Sequence, residues 1–319
     1  MRPESTSITL RRDLTQVAQE FDDANATKGF IADRAAPILE TDEDSGTYPI
    51  FNREAFRKPA NTARAEGAAY NRIIAEFGSG TFACEEHGLE YPIDARRRKR
   101  YSSSIDARAM ATRVLRHQIL LAKERRVSAL YVATGLTSNS PTAAWSDTSN
   151  AKPLTDILTG FQVIEDKCGC SRDDLRVVMP RADVTEFLAT DQVTNKSLYT
   201  FPGIQPAELQ AAQIAAILGC REVLIPRSVY DSADEGIAES ITQVWTAGTI
   251  YTVLLCGEND PLDIPSAFRT MVWTQNCPQL PVVESYDEPT IRGEVVRMLD
   301  DTDEVATAEA DLMAYEMTT

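Results

Sequence analysis

Residues 48–100 hold too few large apolar side chains for their length, and that shortage constrains what the whole chain can become. The stretch opens on strand-like residues (Tyr48, Ile50, Phe51) and meets a second such start at Phe82 and Cys84. Between them, residues 57–80 are polar, carry Pro59, Gly67, Gly78 and Gly80, and gather only Ile73, Ile74 and Phe77 into an apolar cluster. A connection this long without a core of its own is uncommon in a compact domain unless it is functional or disordered. Ordering about thirty residues costs on the order of 30–60 kcal/mol of backbone entropy. At about 25 cal/mol per Å², hydrophobic burial alone would need roughly 1,200–2,400 Å² of apolar surface to offset that. The segment's own side chains cannot supply it, so the segment either stays unordered or lies along a neighbouring molecule.

The rest of the chain is ordinary globular sequence. Its 319 residues suggest about two domains, and 43% hydrophobic with 25% charged residues argues against wholesale disorder. No run reaches the length of a membrane span; the most apolar, residues 244–256, is broken by Thr246, Gly248, Thr249 and Thr252. The first five residues lack the apolar stretch of a signal peptide. The composition therefore predicts a soluble cytosolic product with no membrane partner. Charge is divided unevenly: residues 1–130 carry 21 basic and 19 acidic side chains, residues 131–319 carry 11 and 29. The overall −16 disfavours non-specific binding to nucleic acid or anionic lipid. The asymmetry fits either a mixed-charge N-terminal region lying on the acidic surface of another copy or a drift in composition between domains.

Periodicity places the elements. Leu14, Val17, Ala18 and Phe21 mark a short amphipathic helix that must dock on something to persist. Ser103 followed by Asp106 resembles a capping box, and Ala107, Met110, Ala111, Val114, Leu115, Leu121 and Ala122 carry helical spacing onward. The spacing predicts a helix over residues 104–134, about 46 Å long. After a Ser/Thr/Asn-rich linker (138–150) the pattern becomes α/β. Helices are expected at 153–164, 182–189 and 206–218, the last presenting Leu209, Ala212, Ala216 and Ile217 and stopping at Gly219. Strands are expected at 176–179, 222–225 and 249–255. Residues 268–274, 282–286, 291–299 and 310–317 read as a returning antiparallel sheet. No repeat of 20–50 residues is present.

Chemistry is scarce. The chain has six cysteines and two histidines, and only Cys168-Gly169-Cys170 forms a close cysteine pair, without the second pair that zinc sites show. Cys84-Glu85-Glu86-His87 has the residue types of a site, but on a strand Cys84 and Glu86 face away from Glu85 and His87. Nucleophile elbows, dinucleotide fingerprints and P-loops are absent. The sequence predicts no catalytic residue, no metal and no cofactor. The basic run Arg96, Arg97, Arg98, Lys99 and Arg100 stands just ahead of a helix N-terminus, where the macrodipole disfavours cations. Carboxylates of a partner, plain solvation and nucleic acid all remain open as its counterpart.

The order of parts, and several local motifs, resemble the major capsid protein of tailed bacteriophages, the Hong Kong 97-like fold. Ile31-Ala32-Asp33-Arg34 through Pro37, then Tyr48-Pro49-Ile50-Phe51, is similar to that family's approach to its extended loop. Residues 84–94 resemble the strand returning from it. Trp145-Ser146-Asp147 with Pro153, Asp156 and Ile157 is similar to the lead-in to its α/β domain, and residues 223–230, Trp245 and 268–273 to later parts. The resemblance spans residues 31–315.

It implies an α+β capsid fold: an N-terminal arm (1–30) reaching a neighbour, a lead-in strand (31–47), an extended loop (48–93) and a spine helix within a peripheral domain (94–149). An axial domain (150–267) and a returning sheet with the C-terminal strand (268–319) complete it. It also implies self-assembly into hexameric and pentameric capsomers of an icosahedral shell enclosing double-stranded DNA, formed in the host cytoplasm. A separate scaffolding protein, a portal and decoration proteins would be the other partners. Arg57, Lys58, Ile73, Ile74, Phe77 and the basic run 96–100 are the expected inter-subunit contacts. Some members cross-link a loop lysine to a sheet asparagine; Lys58 and Asn276 stand in the matching regions, and nothing in the sequence establishes the pair. An encapsulin-like compartment shell and a cytosolic α/β enzyme are the competing expectations.

Overall fold

The computed structural model describes residues 9–10, 12–21, 29–51, 59, 62–64, 66–67, 69–72, 77–101, 106–278, 280–307 and 309–319. In chain order the first elements are β1 (Thr9–Leu10), α1 (Arg12–Phe21), α2 (Ala32–Ala35), β2 (Ile38–Thr41), β3 (Ser45–Phe51), β4 (Phe77–Ala83) and β5 (Glu85–Asp94). Two helices follow, α3 (Ala95–Tyr101) and α4 (Ala107–Ala133). The α/β part comprises β6 (Thr137–Asn139), α5 (Pro153–Cys168), β7 (Leu175–Val178), α6 (Arg181–Ala189), α7 (Asp191–Thr200), α8 (Ala211–Leu218), β8 (Glu222–Leu224), β9 (Val229–Asp231), β10 (Ile241–Gln243) and β11 (Thr249–Leu254). The chain closes with β12 (Phe268–Trp273), β13 (Val282–Glu288), β14 (Gly293–Ala306), α9 (Ala310–Met313) and β15 (Ala314–Thr318).

Two sheets organise these elements, and α4 joins them. A six-stranded sheet runs β1-β13-β14-β12-β2, with β5 also laid along β14. The 14-residue β14 is its axis: residues 293–302 pair with β5, 293–299 with β13 and 302–306 with β12. A five-stranded sheet runs β6-β15-β11-β7-β8. The 27 residues of α4 span about 40 Å. Its first half sets Ala111, Leu115 and Ile119 against Val283, Val296 and Met298 of the six-stranded sheet. Its second half sends Val127 and Tyr131 into the larger core with Trp145, Trp245, Tyr251 and Phe268. There Tyr131 stacks on Phe268 at 3.9 Å between ring centroids and donates its hydroxyl proton to the Ala35 carbonyl at 2.8 Å.

Several expectations change. The helix starts later than its spacing predicted, because Asp106 itself is the cap, accepting from the Arg108 and Ala109 amides at 3.0 and 3.4 Å; Ser103 lies outside the described residues. Met110 and Val114, placed on its apolar stripe, are 49% and 40% exposed, while Arg116, Lys123 and Glu124 are buried instead. Gly160, inside α5, is a packing requirement: a Cβ there would lie 2.8 Å from the Tyr315 ring. Residues 206–218 divide into a 3₁₀ turn (Pro206–Glu208) and α8, with Ala212 and Ala216 facing solvent. The helix α7 had no counterpart in the sequence reading.

The final segment, expected in the returning sheet, is a short helix followed by β15, which inserts between β6 and β11 of the other sheet. The N-terminal arm, expected to reach a neighbour, docks at home where it is described. Leu14 and Ala18 of α1 are buried in the cluster formed with α4, and β1 pairs with β13.

Candidate assembly surface

The expected extended loop divides into two unlike parts. Its last nine residues lie in β5, which forms a full antiparallel ladder with β14, from Asp94 opposite Gly293 to Glu85 opposite Thr302. They belong to the subunit's own sheet, so the 48–93 boundary places the end of the loop too late. The first part is a separate two-stranded ribbon in which β3 and β4 pair only with each other, from Ser45–Ala83 to Phe51–Phe77. Of its described side chains, Tyr48 alone is buried, its ring lying where a Cβ on Gly80 would stand 2.3 Å away. An isolated two-stranded ribbon is marginal in water.

The ribbon's root is tied to the body. The Ala83 amide donates to Asp303 Oδ2 at 2.9 Å and the Cys84 amide to the Asp44 carbonyl at 2.8 Å. A cleft of about 420 Å³ opens beside this root, lined by Tyr48, Pro49 and Ile50 on one side and Leu262, Ile264 and Met313 on the other.

Among the expected contacts, Arg57, Lys58, Ile73 and Ile74 lie outside the described residues. Phe77 begins β4, with its backbone opposite Phe51. The basic run is not a bare strip ahead of the long helix but a helix of its own, α3, with Arg96, Arg98, Lys99 and Arg100 exposed; the Arg97 side chain lies outside the described set. Part of its counter-charge is internal, a source outside the three counterparts that the sequence left open. Arg98 lies 3.4 Å from Glu294, which also pairs with Arg108 in the first turn of α4. Glu294 thus fixes α3 at the start of α4. Asn276 donates to Asp301 Oδ2 at 2.9 Å, and its proposed partner Lys58 is not described.

Behind this surface stands a polar seam that the sequence did not reveal. Glu124, buried, accepts from Trp245 Nε1 at 2.7 Å, from the Ala32 and Ile31 amides at 2.8 and 3.0 Å, and from Ser228 Oγ at 3.3 Å. Burial raises its pKa, and these donors pull it partly back. Lys123 reaches Asp33 at 2.5 Å; burial acts to raise Asp33, but the ammonium beside it holds the carboxyl below its ordinary value. Arg126 grips Glu304 at 2.7 and 3.0 Å. Burial opposes ionisation of Glu304 too, and the guanidinium overrides it, so the pKa falls. Such contacts hold α2, α4, β14 and the approach to β9 in one rigid unit. The signal available was a run of four consecutive charged residues, Lys123 to Arg126, within the long helix.

The described residues contain no group of three or more potential ligands able to hold a metal ion, and no helix long and apolar enough to cross a membrane. Cys84 is pushed up to about 11 by burial and by Asp301, Asp303 and Asp44, which keeps it a thiol.

No protein-family model matches the chain. The major capsid protein of Burkholderia phage BcepMu is 27% identical over 228 residues, covering 69% of this chain and 70% of that relative. A phage-related protein from Bordetella bronchiseptica superposes with a TM-score of 0.71 at 18% identity over 97% of both chains. The capsid structure of cyanophage P-SCSP1u does so with a TM-score of 0.58 at 12% identity, over 89% of this chain and 86% of its own. These likenesses establish the mixed α+β architecture of phage capsid structures over nearly the entire chain.

Proposed function

We propose that this chain, whose fold is the Hong Kong 97-like fold of phage capsids, is the major capsid protein of a tailed bacteriophage: a structural subunit, not an enzyme. Copies associate through heterologous contacts that close into rings, giving hexameric and pentameric capsomers of an icosahedral shell around double-stranded DNA. The observation that carries the reading is the β3–β4 ribbon, a strand pair attached at its root, with Tyr48 its one buried described side chain and the others exposed or half-buried. Alone, such a ribbon gains little from folding; laid on a neighbouring subunit, it buries its faces and its cost is met.

The segments take capsid roles accordingly. Residues 1–30 form the arm, 48–84 the reaching loop and α4 the spine. The five-stranded sheet with its helices is the axial domain, and the six-stranded sheet the peripheral one. Arg57, Lys58, Ile73, Ile74, Phe77 and the cations of α3 are inter-subunit contacts. Assembly takes place in the host cytoplasm with a separate scaffolding protein, and a portal and decoration proteins complete the virion. A net charge of −16 suits a container whose wall must not hold its genome by non-specific attraction.

Sedimentation and electron microscopy of the purified protein, alone and with its scaffold, test this. Capsomers and closed shells tens of nanometres across are expected. A species that stays monomeric under every assembly condition overturns the reading.

A further inference from the structure

The β9–β10 hairpin is the other two-stranded ribbon of the described structure, and its two faces differ. The register sets Asp231 opposite Ile241 and Val229 opposite Gln243 on one face, with Tyr230 opposite Thr242 on the other. Tyr230 rests against α4, its ring 4.7 Å from the Arg125 guanidinium, and Ser128 donates to the Val244 carbonyl at 3.1 Å. The first face has no cover: Val229 and Ile241 are 46% and 65% exposed, and Ile237 at the tip is 68% exposed. A small two-stranded ribbon with bare β-branched residues is poorly stabilised alone.

Charge identifies what covers it. Residues 228–268 contain no lysine or arginine. Asp231 is occupied within the turn, accepting from the Ala233 and Ser240 amides at 3.0 and 2.8 Å. Asp234, Glu235 and Glu239 are exposed and have no ion pair among the described residues. The exposed, concentrated cations are those of α3, where the Arg96 and Arg100 side chains likewise have no ion pair among the described residues. The two charged elements sit at opposite ends of one helix. Glu294 ties α3 to Arg108 in the first turn of α4, whereas the hairpin rests on Arg125, seventeen residues and about 26 Å further along.

We propose that the acidic tip and bare face of the β9–β10 hairpin dock on helix α3 of a second copy of this chain. The contact rests on the shell-forming reading above and names one of its interfaces: Asp234, Glu235 and Glu239 meet Arg96 and Arg100, while Ile237 and Ile241 are covered. Complementary charge of this kind sets register and speeds encounter more than it adds raw affinity.

Charge reversal tests it. Asp234→Lys with Glu239→Lys, and separately Arg96→Glu with Arg100→Glu, are each expected to lower the assembled fraction, read by sedimentation, at least about tenfold. Combining the four substitutions restores assembly to within about threefold of the wild type, and the melting temperature of the dissociated subunit stays unchanged throughout. Two results overturn the contact alone: single reversals that assemble as the wild type does, or a combined variant that stays unassembled. Subunit melting that falls in the single sets and recovers in the combined one puts the pair within one copy and also overturns it. A wild type that never assembles takes the shell reading down as well.

Discussion

β14 and the β3–β4 ribbon are both antiparallel β-structure, yet they stand at opposite extremes of self-sufficiency. β14 buries Val295, Val296, Met298 and Leu299, and is flanked by β5, β12 and β13 and covered by α4. The ribbon buries Tyr48 and leaves its other described positions half-buried or exposed. One strand is held by contacts inside its own chain; the other is shaped by the chain but lacks a surface to lie on. In a shell-forming subunit this division of labour is expected: a rigid body fixes geometry, and marginal extensions respond to neighbours.

That contrast breaks down if shortening the ribbon harms the body. Replacing residues 52–76 by a two-residue turn should abolish shell formation while shifting subunit stability by no more than about 1 kcal/mol, as measured by denaturant unfolding. Next in size is the seam. Glu124→Ala strands the Trp245 indole N–H and the Ile31 and Ala32 amides, and should cost about 3 kcal/mol of folding stability. Glu304→Gln should cost about 2–3 kcal/mol at neutral pH by leaving Arg126 without its carboxylate.

The Glu304 penalty also has a definite pH dependence. Because the folded-state pKa of Glu304 lies below its ordinary 4.5, its contribution is present above that value and disappears as pH falls through the folded pKa. The gap between wild type and variant, followed by thermal melts, should therefore close on acidification. Smallest is Gly160→Ala: helix propensity gains about 1 kcal/mol, overpacking against Tyr315 costs about 1–3 kcal/mol, and a net loss near 1 kcal/mol is expected by calorimetry.

The sequence was most legible where packing follows local periodicity. β7, β8, β11, β12 and α6 fall within about a residue of their expected places, because apolar runs bounded by Pro, Gly and Asp identify buried strands directly. The long helix was visible for the same reason. Its buried face was not: Lys123 and Glu124 look like solvent residues until Asp33, Trp245 and the α2 amides, between 90 and 121 positions away in sequence, are brought to them. The destination of β15 was hidden likewise, since alternation marks a strand but not its partner. For the assembly surface, the sequence identified the shortage of apolar cover and the basic run. It did not show that Glu294 anchors that run, nor that Glu85–Asp94 belongs to the body, because both depend on pairing with β14, some two hundred residues later.

Hydrogen exchange at the ribbon tests the central claim most directly, because it compares the same amides before and after assembly. The amides of Ser45–Phe51 and Phe77–Ala83 should exchange at least about tenfold more slowly in assembled particles than in dissociated subunits, with those of β14 slow in both. Equal protection of the ribbon in the two states would mean that the subunit shelters it unaided, and would contradict the account.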